Sequence, residues 1–258
     1  MNYLVAYNTD VGLRKHTNQD SMAVKIMDSE FGRIVLAIVC DGMGGLAHGE
    51  LASKEVIRAY CDWFDHDLTD MVKKKEVDID GICHDWREIA IVENDRLSQY
   101  GARRGINLGT TLSAMLIIQN HYVVVHVGDS RIYQFTNERV RQITEDQSVV
   151  AREIVLGNLT PEQALKDPRR SILLQCIGAS PMVEPAFFRG SVGPEMSFLI
   201  CSDGFCHEIS HDEMMERLGP QACADAMTMK QNCMHLTDLV KQRQEMDNIS
   251  MILLKTQE

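Results

Sequence analysis

Residues Ile34 to Gly45 read IVLAIVCDGMGG. Seven apolar or small residues run without a break into Asp41, and Gly42, Met43, Gly44 and Gly45 follow. The run is strand-sized and rich in β-branched residues, which suit a pleated, buried surface. A carboxylate at the end of such a strand is held by rigid backbone yet can project into a cleft. The glycine after it permits a tight turn or the close approach of a ligand.

The pattern recurs along the chain. HYVVVHVGDSR puts Asp129 after an apolar run and a glycine, and MSFLICSDGF puts Asp203 after another run and before Gly204. EMDNISMILL reverses the order, with Asp247 just ahead of the apolar run. Asp-Gly is also a common turn dipeptide, so any one of these acids alone reads equally well as a turn. Four of them brought together would repel one another and retain protons unless a cation intervened. Carboxylate oxygens with water suit Mg²⁺ or Mn²⁺, whereas zinc would call for His or Cys ligands.

The frame around these acids is ordinary for a globular protein. The chain has 258 residues, 45% hydrophobic and 24% charged, enough for one large domain, expected over 1–258. No apolar run reaches membrane-spanning length, and MNYLVAYNTDVG lacks a basic segment ahead of an apolar core. No membrane anchor or signal peptide is expected, and the expected location is cytoplasmic. The net charge of −11, from 37 acidic and 26 basic residues, argues against nucleic acid and anionic lipid as partners. None of the eight cysteines shows the C-x-x-C spacing of a zinc site, so they read as reduced structural thiols.

Strands are expected at SMAVKIM, RIVLAIVC, TTLSAMLII, HYVVVHVG, RIYQF, MSFLIC and NISMILL. Helices are expected over ELASKEVIRAYCDWF, DWREIAIVENDRLSQY, SVVAREIVL and residues 220–244. Ser210-His-Asp-Glu213 is a capping box for a helix ended by Gly219, and Thr160-Pro161-Glu162-Gln163 follows the same logic. Strands follow one another through short turns instead of alternating with helices. That favours an α+β layout of antiparallel sheets flanked by helices.

The succession TDVGLRKHTNQD, CDGMGG, LGTTLSA, VGDSR, CSDG and MDNIS, spread from Thr9 to about Ile252, resembles the metal-dependent protein phosphatases (PPM, type 2C) in their bacterial form. Each motif is weak alone; all six occur in the family's order. The resemblance implies a four-layer α-β-β-α sandwich with a metal centre at one end. By that likeness Asp41 bridges two Mn²⁺ or Mg²⁺ ions, Gly42 lends a backbone carbonyl, and Asp203 and Asp247 complete the first site. Asp20, with Gln19, holds metal-bound water, and Asp129 binds a third ion that shares Asp203. Water activated between two cations roughly 3.5–4 Å apart would then attack phosphoserine or phosphothreonine in line. The expected partners are phosphoproteins and an opposing Ser/Thr kinase.

The chain departs from the family in two places. The position three residues after the first motif's glycine, where the family has a phosphate-gripping arginine, holds Lys15; Arg14 stands one place earlier. Arg14 has the bidentate chemistry and Lys15 the register, so both are candidates. Met43 replaces the histidine that eukaryotic members carry after Asp-Gly, which leaves His48 as the nearest candidate general acid. His126, in an alternating strand, reads as packed or surface-facing. The Gly109-Thr110-Thr111 stretch reads as a turn with β-propensity. Residues 157–180 correspond to the family's variable flap, where Arg169 and Arg170 either touch substrate or are solvated. Met227, Met229 and Met234 read as helix packing. Two other readings remain: a phosphoprotein-binding pseudophosphatase, and a metal-dependent hydrolase of nucleotides or other small phosphoesters.

Overall fold

In the computed structural model, which describes residues 1–43 and 48–257, the opening stretch becomes the inner strand β3 (Gly32–Cys40). Gly44 and Gly45 of that stretch lie outside the described residues. Every residue from Ile34 to Cys40 is buried because both faces of the strand are covered. Ile34, Leu36, Ile38 and Cys40 pack on helices through Val56, Tyr60 and Trp86. Val35, Ala37 and Val39 pack in the opposite direction, on Phe198, Ile200, Ile252 and Leu254 of the second sheet. The period of two along a strand thus converts a continuous apolar run into two separate cores.

Among the described residues ten strands form two five-stranded sheets. One has the order β2 (Ser21–Ser29), β3, β4 (Leu112–Ile118), β5 (His121–Val127), β8 (Ala186–Ser191). The other has the order β1 (Asn2–Asp10), β10 (Ile249–Gln257), β9 (Ser197–Cys201), β6 (Arg131–Phe135), β7 (Val140–Gln142). All neighbouring pairs are antiparallel. Helices α1 (Gly49–Trp63), α2 (Thr69–Lys74) and α3 (Ile79–Arg104) accompany the first sheet. Helices α4 (Val149–Val155), α5 (Pro161–Ala164), α6 (Asp203–Cys206), α7 (His211–Leu218) and α8 (Ala226–Gln242) follow, and α7 and α8 cover the second sheet. The expected α-β-β-α layering is the observed one.

Both capping boxes are present, at Thr160/Gln163 and Ser210/Glu213. The helix expected over 220–244 is interrupted: a 3₁₀ turn (Pro220–Ala222) ends, and Asp225 caps a new start by accepting from the Thr228 N–H at 2.7 Å. On α8 only Met229 of the three methionines is buried, while Met227 and Met234 are exposed, which corrects the expectation of three packing residues. All eight cysteines are free thiols, seven of them buried. No described helix is long and apolar enough to cross a membrane.

Antiparallel register gathers the site at one end of the sandwich. Ser21 pairs with Cys40, so Asp20 and Asp41 emerge together. Cys201 pairs with Met251, which brings Asp203 and Asp247 to the same end. Asp10 pairs with Ile249, so the loop carrying Arg14 and Lys15 starts there too. Between β5 and β6 the chain changes sheets at Gly128 and Asp129, and that crossing delivers the remaining acid.

Candidate metal centre

Asp41 is fixed through its backbone. Its N–H donates to Thr111 Oγ1 at 2.9 Å, and its carbonyl accepts from the Thr111 N–H at 2.8 Å and from Thr110 Oγ1 at 2.9 Å. Thr111 Oγ1 in turn meets Ser130 Oγ at 2.8 Å. The two threonines therefore do more than start a strand, and nothing in their spacing signalled it. Gly42 forms an antiparallel bridge with Thr110 and donates to the Gln19 carbonyl at 3.2 Å. A Cβ on Gly42 would lie 2.4 Å from that carbonyl oxygen and 2.5 Å from the Gly49 carbonyl oxygen, so only glycine fits.

Asp41, Asp129, Asp203 and Asp247 line one cavity of about 260 Å³, together with Lys15, Met43, Thr111 and the flap residues Ser171 and Leu173. Burial and then the surrounding Asp20, Asp203, Asp129 and Asp247 push the Asp41 carboxyl well above the usual carboxylate range. Burial, Asp203 and Asp146 do the same to Asp129. Asp20 sits behind the cavity, pushed up to about 7 by burial with Asp203 and Asp247, against opposing bonds from Ser250 and Ser202. Its Oδ2 accepts from Ser202 Oγ at 3.0 Å, while its buried Oδ1 has no hydrogen-bond partner among the described residues.

These residues suit a hard divalent cation: the donors are carboxylate oxygens, they share one cavity, and a buried acceptor behind them lacks a partner. They do not close into a cage by themselves. Among the described residues no three His, Cys, Asp or Glu side chains are grouped tightly enough to hold an ion. Repulsion between bare carboxylates opposes such closure, and Asp247 is instead in contact with Lys15, Nζ to Oδ1 2.7 Å. Burial lowers the Lys15 ammonium, but Asp247, with Asp41 and Asp203 behind it, outweighs that and raises it.

Of the two phosphate-binding candidates, then, Lys15 reaches the cavity and Arg14 lies exposed beside it. His48 starts α1 in a left-handed conformation with its side chain 58% exposed, 3.5 Å from Glu50, and does not line the cavity. His126 is fully buried with Nδ1 on Ser113 Oγ at 2.9 Å, the packed alternative of its sequence reading. Arg169 pairs with Asp167 at 2.8 Å, while Arg170 faces a neighbouring cavity.

Two supports were not evident from sequence. Asn248 staples the Lys15 loop: its Oδ1 accepts from the Gln19 N–H at 2.9 Å, and its Nδ2 donates to the Val11 and Thr17 carbonyls at 2.9 and 3.2 Å. Gly12, at φ +76°, lets that loop lie so close that a Cβ would fall 2.0 Å from the Asp247 carbonyl oxygen. His207 stands between Asp203 (3.8 Å) and Glu245 (3.7 Å). Burial alone would depress its imidazole, but Glu245 and Asp203 push it up to about 10. Glu245 also accepts the N–H groups of Met246 and Asp247 at 2.6 and 3.0 Å, which fixes the turn that carries Asp247. The one sequence signal was the helical spacing of Asp203 and His207.

The same double-sheet fold is found in bacterial serine/threonine phosphatases. The family model described as Protein phosphatase 2C matches residues 13–240, and the chain belongs to that family. It is 33% identical to the protein phosphatase PhpP of Streptococcus pneumoniae over 214 residues, covering 81% of each chain. Its fold matches the S. agalactiae serine/threonine phosphatase at 26% identity and TM-score 0.80, over 99% of this chain and 100% of that one. It also matches the catalytic domain of the serine/threonine protein phosphatase PstP in complex with 2 manganese ions, at 25% identity and TM-score 0.76, over 98% and 99% of the two chains.

Proposed function

We propose that this protein removes phosphate from phosphoserine and phosphothreonine in other proteins, with Mn²⁺ or Mg²⁺ held at the cavity. The reading assigns Asp41, the Gly42 carbonyl, Asp203 and Asp247 to two core ions, Asp20 and Gln19 to their water, and Asp129 to a third ion. One observation carries it: four strand-end carboxylates share a cavity, and burial with the neighbouring acids disfavours the charged forms of Asp41 and Asp129 there. When bound, the cations supply Lewis acidity that activates water and neutralises charge on the phosphoryl oxygens.

The rest falls to the chain's own groups. Lys15 is positioned to hold a phosphate oxygen as a point charge, which asks less of geometry than an arginine fork. Ser171 and Leu173 of the flap form the opposing wall and restrict water around the phosphoester. Thr110 and Thr111 hold Asp41, and Glu245 with His207 holds the pair Asp203 and Asp247, so the carboxylates are set before substrate arrives. Met43 has no proton to give and His48 is off the described lining, so the reading leaves the Lys15 ammonium and solvent water as proton sources for the leaving oxygen. A phosphoprotein substrate implies a kinase that makes it; the reading pairs the chain with a Ser/Thr kinase in a cytoplasmic setting.

The test is hydrolysis of p-nitrophenyl phosphate and of a phosphothreonine peptide with Mn²⁺, with EDTA, and in Asp203→Ala. Turnover that needs Mn²⁺ and is lost in the variant is expected. Phosphopeptide binding without turnover would point to a recognition module. Hydrolysis confined to nucleotides would point to a small-phosphoester hydrolase.

A further inference from the structure

A second cavity, of about 210 Å³, adjoins the carboxylate cavity, and the two share Asp129. His207, which backs Asp203, lines the second one as well. Its wall is largely apolar, built from Val150, Ala151 and Ile154 of α4, Pro161 and Ala164 of α5, and Leu165. Of the charged residues that line it, Arg131 holds Asp146 through two nitrogens, at 2.9 and 2.6 Å. Arg170 faces this slot, whereas the next residue, Ser171, lines the carboxylate cavity. The flap is therefore the wall between the two. The end of α4 and the flap leave Val155, Leu156, Leu165 and Ile172 exposed.

We propose that this slot receives an aliphatic side chain of the substrate polypeptide, next to the phosphorylated residue, with Ala151 and Ile154 setting its size. The proposal rests on the phosphatase reading above and names the substrate class for that site. For a polypeptide whose phosphate lies against Asp41 and Asp203, the slot opens at Asp129, which lines both cavities. An extended chain advances about 3.3–3.6 Å per residue, so the slot is within reach of an immediate or next neighbour. Arg131 is engaged by Asp146, and His207 by Asp203 and Glu245, which leaves the flap's Arg170 as the cation an acidic neighbour could meet; an aliphatic one meets the wall of Val150, Ala151 and Ile154. An aliphatic side chain gains by leaving water, and pocket contacts of this kind discriminate by about ten-fold or more in kcat/KM.

The experiment uses the full chain with Mn²⁺ and phosphothreonine peptides that differ only at the neighbouring positions, carrying Leu, Ala, Asp or Lys. The readout is the ratio of kcat/KM between peptides, with p-nitrophenyl phosphate as the substrate that has no neighbour. The Leu peptide is expected to exceed the Ala peptide by about ten-fold. Ala151→Phe, which fills the slot, is expected to level that ratio; Ile154→Ala, which deepens it, is expected to shift the preference from Leu to Phe. Either variant alone decides, should the other fail to fold. Hydrolysis of all peptides at similar kcat/KM, or a wild-type ratio retained in the variants, overturns the slot and leaves the phosphatase reading standing. No hydrolysis of any phosphoester, p-nitrophenyl phosphate included, overturns the phosphatase reading and the slot with it.

Discussion

Replacing Lys15 by alanine is expected to have two effects of opposite sign. Lys15 Nζ lies 2.7 Å from Asp247 Oδ1, and the two side chains are 28% and 41% exposed. An ion pair this open contributes at most about 1 kcal/mol, so fold stability should hardly change. The ammonium nevertheless competes with a divalent cation for Asp247. Removing it is expected to tighten Mn²⁺ binding by about two- to five-fold, the same energy expressed as affinity. Phosphate loses a charged contact worth about 1.5–3 kcal/mol, so kcat/KM should fall by about 10- to 150-fold. The assay is phosphopeptide turnover across an Mn²⁺ series, beside the same series for Arg14→Ala. Lys15→Arg should restore most of the turnover. Weaker Mn²⁺ binding in Lys15→Ala, or the larger loss of turnover in Arg14→Ala, would refute the assignment.

Gly42→Ala would push a methyl group against the Gln19 and Gly49 carbonyl oxygens, 2.4 and 2.5 Å away. The expected result is a Tm lower by about 3–10 °C by thermal melt, with turnover down about 100-fold as Asp41 is displaced. Burial pushes His126 from its ordinary 6.5 down to about 4, so below pH 6.5 the unfolded chain takes up a proton that the native one refuses. The stability it contributes is whole above that pH and is lost as pH falls through the native value. Urea titrations should show a loss of about 2 kcal/mol between about pH 7.5 and about pH 5, absent in His126→Gln.

The inner strands were legible because β3, β4, β5, β9 and β10 are buried on both faces and so read as predominantly apolar runs. Strand β1 was not, since NYLVAYNTD lies at a sheet edge, with only Tyr3 and Ala6 buried and a polar end. The same holds for β8, whose AFFRGS leaves no residue fully buried. Helix α3 starts at Ile79, ahead of the expected Asp85, because Asp78 caps it. At the site, Asp41, Asp129, Asp203 and Asp247 stood out as acids attached to apolar runs. The choice between Arg14 and Lys15 did not, because it turns on one residue of loop rotation set by Gly12 and Asn248. Thr111 and Asn248 act through bonds to the backbone of segments far away in sequence, and composition carries no trace of such contacts.

The most direct measurement is calorimetric titration of metal-free protein with Mn²⁺, comparing the wild type with Asp41→Asn and checking the fold of both by circular dichroism. Uptake of about two ions per chain by the wild type, and of fewer by the folded variant, is the predicted result. A folded wild type that binds no Mn²⁺, or an Asp41→Asn variant that binds it undiminished, would contradict the metal centre.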